Sequence, residues 1–131
     1  MAKRMKEKTL AREQNRDTRP HAHAKYIRIS PYKVRVVLDT VRGKSVNEAL
    51  ALLLATPKAA SEPVRKLIES ATANAEHNMG LSREDLFVAE IFADGGPILK
   101  RMNPVSKGRA YRINKRTSHI TVILDTVKEA K

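Results

Sequence analysis

The sequence predicts an α+β domain: three helices packed on a small three-stranded antiparallel sheet, two strands of which extend into a long basic β-hairpin. Apolar residues recur at helical spacing between Ser30 and Met79, whereas Lys25–Ile29, Leu86–Ala93 and Ser118–Val127 have the composition or alternation of strands. The last two strands enclose an unusual segment. From Gly95 to Leu124, thirty residues contain no Asp or Glu but seven Lys or Arg.

Residues 1–23 have no periodic hydrophobicity and mix Lys, Arg and Glu with Gln and Asn. They are expected to form a basic extension, disordered or loosely helical until it meets a partner, ahead of a single domain at 24–131. Lys25-Tyr26-Ile27-Arg28-Ile29 alternates like a short half-buried strand. Ser30-Pro31 offers an N-cap followed by proline at the first helical position, and Val34, Val37, Leu38 and Val41 share one helical face. Arg35 and Arg42 fall about opposite that stripe, so one face makes core while the other can reach phosphate.

Gly43 ends this helix, and Ser45-Val46-Asn47-Glu48 has the form of a capping box opening the second, with Val46, Leu50, Leu53 and Leu54 inward until Thr56-Pro57. The third helix is expected over 59–79, with Pro63 tolerated in its first turn. Its inner face is Val64, Leu67, Ile68, Ala71 and Ala75, and Gly80 supplies its stop. A tight turn at Asp94-Gly95 would leave more than twenty residues of structureless loop before Ser118, against the usual length of connections. The segment 95–117 is therefore read as an arm that continues both strands outward, with Pro104 and Gly108 at bends near its tip. At about 3.3 Å per residue it projects on the order of 35 Å.

Charge is unevenly distributed within the net +12: residues 1–19 carry seven bases against three acids, residues 20–42 five against one, and residues 43–94 five against eight. The apolar body is slightly acidic and its flanks are basic. A base cluster without acids cannot neutralise itself internally, and counterion release favours its association with a polyanion. The expected partner is a nucleic acid.

The 131 residues suit one small domain, and with no cysteine there is neither a disulfide nor a zinc-thiolate site. No stretch reads as a signal peptide or a membrane span, so an intracellular, soluble protein is expected. His21-Ala22-His23 lacks a third ligand nearby, His77 has no His-Glu-x-x-His spacing, and Gly95-Gly96 is followed by no helix and lacks the phosphate-loop spacing. His119, at the inner end of the arm, is expected to hydrogen-bond phosphate or backbone. Neither a metal, a cofactor nor an enzymatic activity is expected. Tyr111, the only aromatic in the arm's basic stretch, is weak support for base stacking, since a lone tyrosine more often packs locally.

The residues also carry a resemblance. Lys100-Arg101, Lys107-Gly108-Arg109-Ala110, Arg112-Ile113 and the run Lys115-Arg116-Thr117-Ser118-His119-Ile120-Thr121-Val122 resemble the hairpin signature of the large-subunit ribosomal protein family numbered twenty-two, bacterial type. The resemblance extends through Ile29–Arg35, Arg42-Gly43-Lys44 and Ser70–Asn78, covering about residues 24–124. Val105 and Ser106 stand where many members have Arg and Ala, and Gly95 where an acid is common. The resemblance implies a cytoplasmic, ribosome-bound monomer with its body on the outside of the large subunit near the polypeptide exit. It further implies a hairpin threading between domains of large-subunit ribosomal RNA, a role in assembly, contacts with neighbouring ribosomal proteins, and a tip lining the exit tunnel beside the nascent chain.

The candidate RNA-binding residues are Lys25, Arg28, Lys33, Arg35, Arg42, Lys44, Lys100, Arg101, Lys107, Arg109, Arg112, Lys115, Arg116 and His119. The resemblance assigns the tunnel-lining tip to Met102, Asn103, Pro104, Val105 and Ser106. The competing class is an architectural DNA-binding protein whose basic β-arm wedges a proline into the minor groove. Such arms act in pairs from intertwined dimers, and this chain shows no apolar surplus for a dimer core.

Overall fold

A computed structural model describes residues 2–127. In chain order it contains α1 (Ala2–Gln14), β1 (His21–Ile27), α2 (Pro31–Val41), α3 (Val46–Ala55) and α4 (Ser61–Met79). A short 3-10 turn (Arg83–Asp85) follows, then β2 (Leu86–Gly95), β3 (Leu99–Pro104), β4 (Ala110–Lys115) and β5 (Ser118–Thr126). The architecture is the predicted α+β fold, with α1 as an additional helix. The sheet has the order β1-β5-β2, antiparallel throughout, and a separate ladder pairs β3 with β4.

The core follows from two periodicities meeting. In the central strand β5, Ser118, Ile120, Val122, Leu124 and Thr126 are buried at every second position. Against them lie the apolar stripes of α2 (Val34, Val37, Leu38, Val41) and α4 (Val64, Leu67, Ile68, Ala71, Ala75). In α3 the inward set is Val46, Ala49, Leu50 and Leu53, whereas Leu54, expected inside, is 74% exposed. Ala49 takes that place because it lies three residues from Val46 and four from Leu53, on the stripe itself. A bulge between Val88 and Glu90 changes which residues of β2 face inward, from Leu86 and Val88 to Ile91 and Ala93. The extra residue keeps both halves of β2 on the core.

Three local expectations are corrected. The first strand begins at His21, because Ala22 is small enough to bury and pairs with Val122; Arg28 and Ile29 lie beyond its end. Ser30 precedes α2 with extended backbone but makes no side-chain cap, whereas Ser45 Oγ accepts from Glu48 N at 3.3 Å. The Glu48 carboxylate meanwhile accepts from Lys44 Nζ at 2.9 Å. The third correction concerns the hairpin, which is interrupted. Proline at 97 cannot donate to a ladder, and residues 96–98 and 116–117 separate the sheet from the β3–β4 arm. Two bonds bridge the gap: Gly96 N donates to Thr117 O at 2.9 Å, and Thr117 Oγ1 to Pro97 O at 2.6 Å.

All core residues lie outside the arm. Replacing residues 96–116 with a short turn is therefore expected to leave a cooperatively unfolding body, and limited proteolysis of the intact free protein is expected to cut the arm before the body. Non-cooperative melting of the shortened chain by circular dichroism would show that the arm belongs to the folding unit.

Candidate nucleic-acid interface

Every residue of β3 and β4 is exposed. Their register pairs Leu99 with Lys115, Lys100 with Asn114, Arg101 with Ile113, Met102 with Arg112, Asn103 with Tyr111 and Pro104 with Ala110. Opposed residues share a face and faces alternate along each strand, so Arg101 and Lys115 lie on one side and Lys100 and Arg112 on the other. The ribbon is basic on both faces. One of them also carries Leu99, Ile113 and Tyr111, and the other Met102 and Pro104.

The tip closes over Val105–Arg109, where Val105 N donates to Arg109 O at 2.9 Å and Arg109 N to Ser106 O at 3.4 Å. Lys107 and Gly108 both have positive φ, 60° and 68°, which glycine accepts freely and which costs the lysine strain. The loop projects Lys107 and Arg109 beyond the paired strands. Among the described residues, no ion pair involves any base of the arm. Its charge is thus available to an external anion.

The arm meets the body at a second basic site. Lys115 and Arg116 line a depression of about 590 Å³ together with Arg28, Ser30 and Lys33. Arg28 Nη1 donates to Arg116 O at 2.8 Å, which ties the segment after β1 to the arm's return strand. Lys25 is exposed on β1 nearby in sequence. His119 takes the backbone alternative: its Nδ1 accepts from Tyr26 N at 3.0 Å, which leaves the neutral ring's proton on Nε2. Tyr26 is held at φ 58° in the bulge of β1, with its ring edge-on to His119 at 4.9 Å. Gly96 faces the same ring, and a Cβ there would collide with Thr117 Oγ1. The arm's root is close-packed.

Arg35 of α2 and Arg42 just after it are both exposed, but they spend donors on the sheet. Arg35 reaches from the exposed side to the edge of β2, where its Nη2 donates to Ala93 O at 2.9 Å, and Arg42 Nη2 donates to Ile91 O at 3.0 Å. Along the same edge, Gly43 N donates to Val88 O and Val88 N to Lys44 O, each at 2.9 Å. The Arg42-Gly43-Lys44 turn therefore covers an open strand edge, a role that charge patterning alone does not reveal. Arg42 also pairs with Asp39 at 2.7 Å and Lys44 with Glu48 at 2.9 Å; such exposed pairs are worth little and exchange readily for a phosphate.

Sequence reasoning missed Arg19. Its guanidinium grips Asp17 with three hydrogen bonds of 3.0, 3.1 and 2.7 Å, reaches Glu90 at 2.8 Å and lies 3.9 Å from Asp125. The fork holds the Asp17 carboxyl down at about 2. Pro20 O accepts from Leu124 N at 2.9 Å, so the chain after α1 is fixed to β5. The signal for this clamp was the Asp17-x-Arg19 spacing, which means nothing until β2 and β5 supply the other two acids. No group of His, Asp and Glu among the described residues is arranged to hold a metal, and no described helix is long and apolar enough to cross a membrane.

Comparison with known proteins follows the same outline. The model of the family described as ribosomal protein L22p/L17e matches residues 22–125. The curated "Large ribosomal subunit protein uL22" of Synechococcus sp. (strain JA-2-3B'a(2-13)) is 54% identical over 110 residues, covering 84% of this chain and 89% of its own. That of Desulfitobacterium hafniense (strain Y51) is 56% identical over 108 residues, covering 82% and 95%. That of Clostridium kluyveri (strain NBRC 12016) is 57% identical over 103 residues, covering 79% and 93%.

Proposed function

Because the chain belongs to the ribosomal protein L22p/L17e family, and is thus a structural constituent of the large ribosomal subunit in the cytoplasm rather than an enzyme, we propose that its β3–β4 arm and arm root bind large-subunit ribosomal RNA. The observation that carries this reading is a two-stranded ribbon with bases on both faces and no acid. A duplex lying on one side would need bases on that side only, whereas RNA folded around the ribbon presents phosphates to each. Few apolar contacts hold the arm in the free protein, so its energy of placement comes from the RNA, and it ties together the RNA segments it runs between. That is how it supports subunit assembly.

Within this reading the root bases Arg28, Lys33, Lys115 and Arg116 receive phosphate where arm and body meet, and the exposed Lys25 of β1 adds to them. Arg35 and Arg42 act first as covers of the β2 edge and contact RNA with their remaining donors. The tip, Met102 to Ser106, lines the polypeptide exit tunnel and meets the nascent chain, and neighbouring ribosomal proteins contact the body. Family membership sets aside the architectural DNA-binding alternative. The protein is expected to remain with purified large subunits through a high-salt wash, measured by quantitative mass spectrometry. Recovery only in the free pool would sink the assignment of the arm to ribosomal RNA.

A further inference from the structure

Helix α1 lies wholly outside the residues that match the family, 22–125, and its residues 3–14 are all exposed. It belongs to no part of the core, so what it offers is its surface. At 100° per residue, Arg4, Lys8 and Arg12 form a row within an arc of about 80°, successive charges rising about 6 Å along the axis. Glu7 and Glu13 fall outside that arc, and among the described residues no ion pair involves Arg4, Lys8 or Arg12.

We propose that α1 is a second RNA-binding element, which lays the Arg4-Lys8-Arg12 row along a phosphate backbone and makes the protein's hold on ribosomal RNA bivalent. Two other occupants of an exposed helix fit poorly. A partner helix or a membrane surface needs an apolar stripe. The large apolar residues of α1 are Met5 and Leu10, 70% and 56% exposed, and they point about 140° apart. Charge complementarity favours a polyanion. Since the deep, narrow groove of A-form RNA excludes a helix, the contact is to the backbone and independent of sequence.

The position of α1 in the fold gives the row its consequence. Pro20 is bonded to Leu124, near the end of β5 that lies away from the arm, whereas the arm leaves beside Ser118 at the other end. Roughly 20 Å of strand separates the two exits. Because the Arg19 clamp and the Pro20 bond fix the departure of the α1 segment, the two basic elements are carried at opposite ends of one rigid sheet. Binding of one then raises the effective concentration of the other, and affinities multiply without any new contact between them. A helix of thirteen residues is marginal alone in water, so neutralisation of its row also steadies the helix itself.

This inference rests on the reading of the arm as an RNA-binding element, and the test separates the two. The full chain carrying Arg4→Ala, Lys8→Ala and Arg12→Ala is compared with wild type and with the arm variant Lys107→Ala, Arg109→Ala, Arg112→Ala, by anisotropy against purified large-subunit ribosomal RNA over a salt titration. The α1 variant is expected to lower the salt slope by roughly 2 to 3, and Arg4→Lys with Arg12→Lys to restore it. In wild type, amide exchange at residues 3–14 is expected to slow on adding RNA. An unchanged slope in the α1 variant, with the arm variant still impaired, overturns the second site and leaves the arm standing. Unchanged slopes in both overturn the arm reading as well. Loss of subunit incorporation at an unchanged slope would assign α1 to a protein partner instead, and likewise overturns the proposal.

Discussion

Replacing Lys107, Arg109 and Arg112 with alanine is expected to weaken binding to large-subunit ribosomal RNA by about a hundredfold at 0.1 M salt, because each lost phosphate contact removes about 0.7 from the slope of log affinity on log salt. The three residues occupy different parts of the ribbon: Lys107 and Arg109 stand on the tip loop, and Arg112 opposes Met102 in the ladder. All three are exposed and none belongs to the core, so the thermal midpoint of the body should stay where it is. The two measurements together discriminate. A fall in affinity with a parallel fall in slope, at constant stability, locates phosphate contacts on the arm. An affinity and slope equal to wild type would remove the arm from the interface, and an affinity loss accompanied by a lower midpoint would mean that the substitutions damage the fold.

How much of this was legible in the sequence depended on whether the determining partners are local. The α2 stripe of Val34, Val37, Leu38 and Val41 and the alternation of Ser118 to Thr126 are written in residues a few positions apart, and both are buried as their periods require. The arm was legible for the same reason: an acid-free run between two strands can be read without knowing what either strand touches. Its interruption was also partly legible in Pro97, but the bond from Thr117 Oγ1 to Pro97 O joins residues twenty apart and has no local signature. Arg35, Arg42 and Arg19 show the limit most clearly. Their charge was visible, but each spends donors on a distant partner, Ala93 O, Ile91 O and Glu90, that only the folded sheet brings near. Counting bases overstates the free charge of the body while describing the arm well, because the arm holds no acid to pair with them.

The tip offers the sharpest separation of roles, since the register shows where it can be shortened. Asn103 and Tyr111 face each other across the ladder, so a two-residue Asn-Gly turn between them would remove Pro104 to Ala110 without shifting any remaining pair. Lys100, Arg101, Arg112, Lys115 and Arg116 keep their faces, and only Lys107 and Arg109 are lost from the arm's bases. Free-protein affinity should therefore fall by about 1.4 log units at 0.1 M salt, while incorporation into large subunits persists on the remaining contacts. What should change, on the proposed tunnel role, is the lumen: with Pro104, Val105 and Ser106 gone, the wall they are proposed to form retreats, and stalling peptides or tunnel-binding drugs should pass or bind differently. A photoreactive probe replacing Pro104 in the full-length arm supplies the direct reading, because a tunnel wall is expected to cross-link to the nascent chain. Cross-links from that position to RNA alone, with normal tunnel passage in the shortened variant, would refute the lumenal role and leave the arm to assembly.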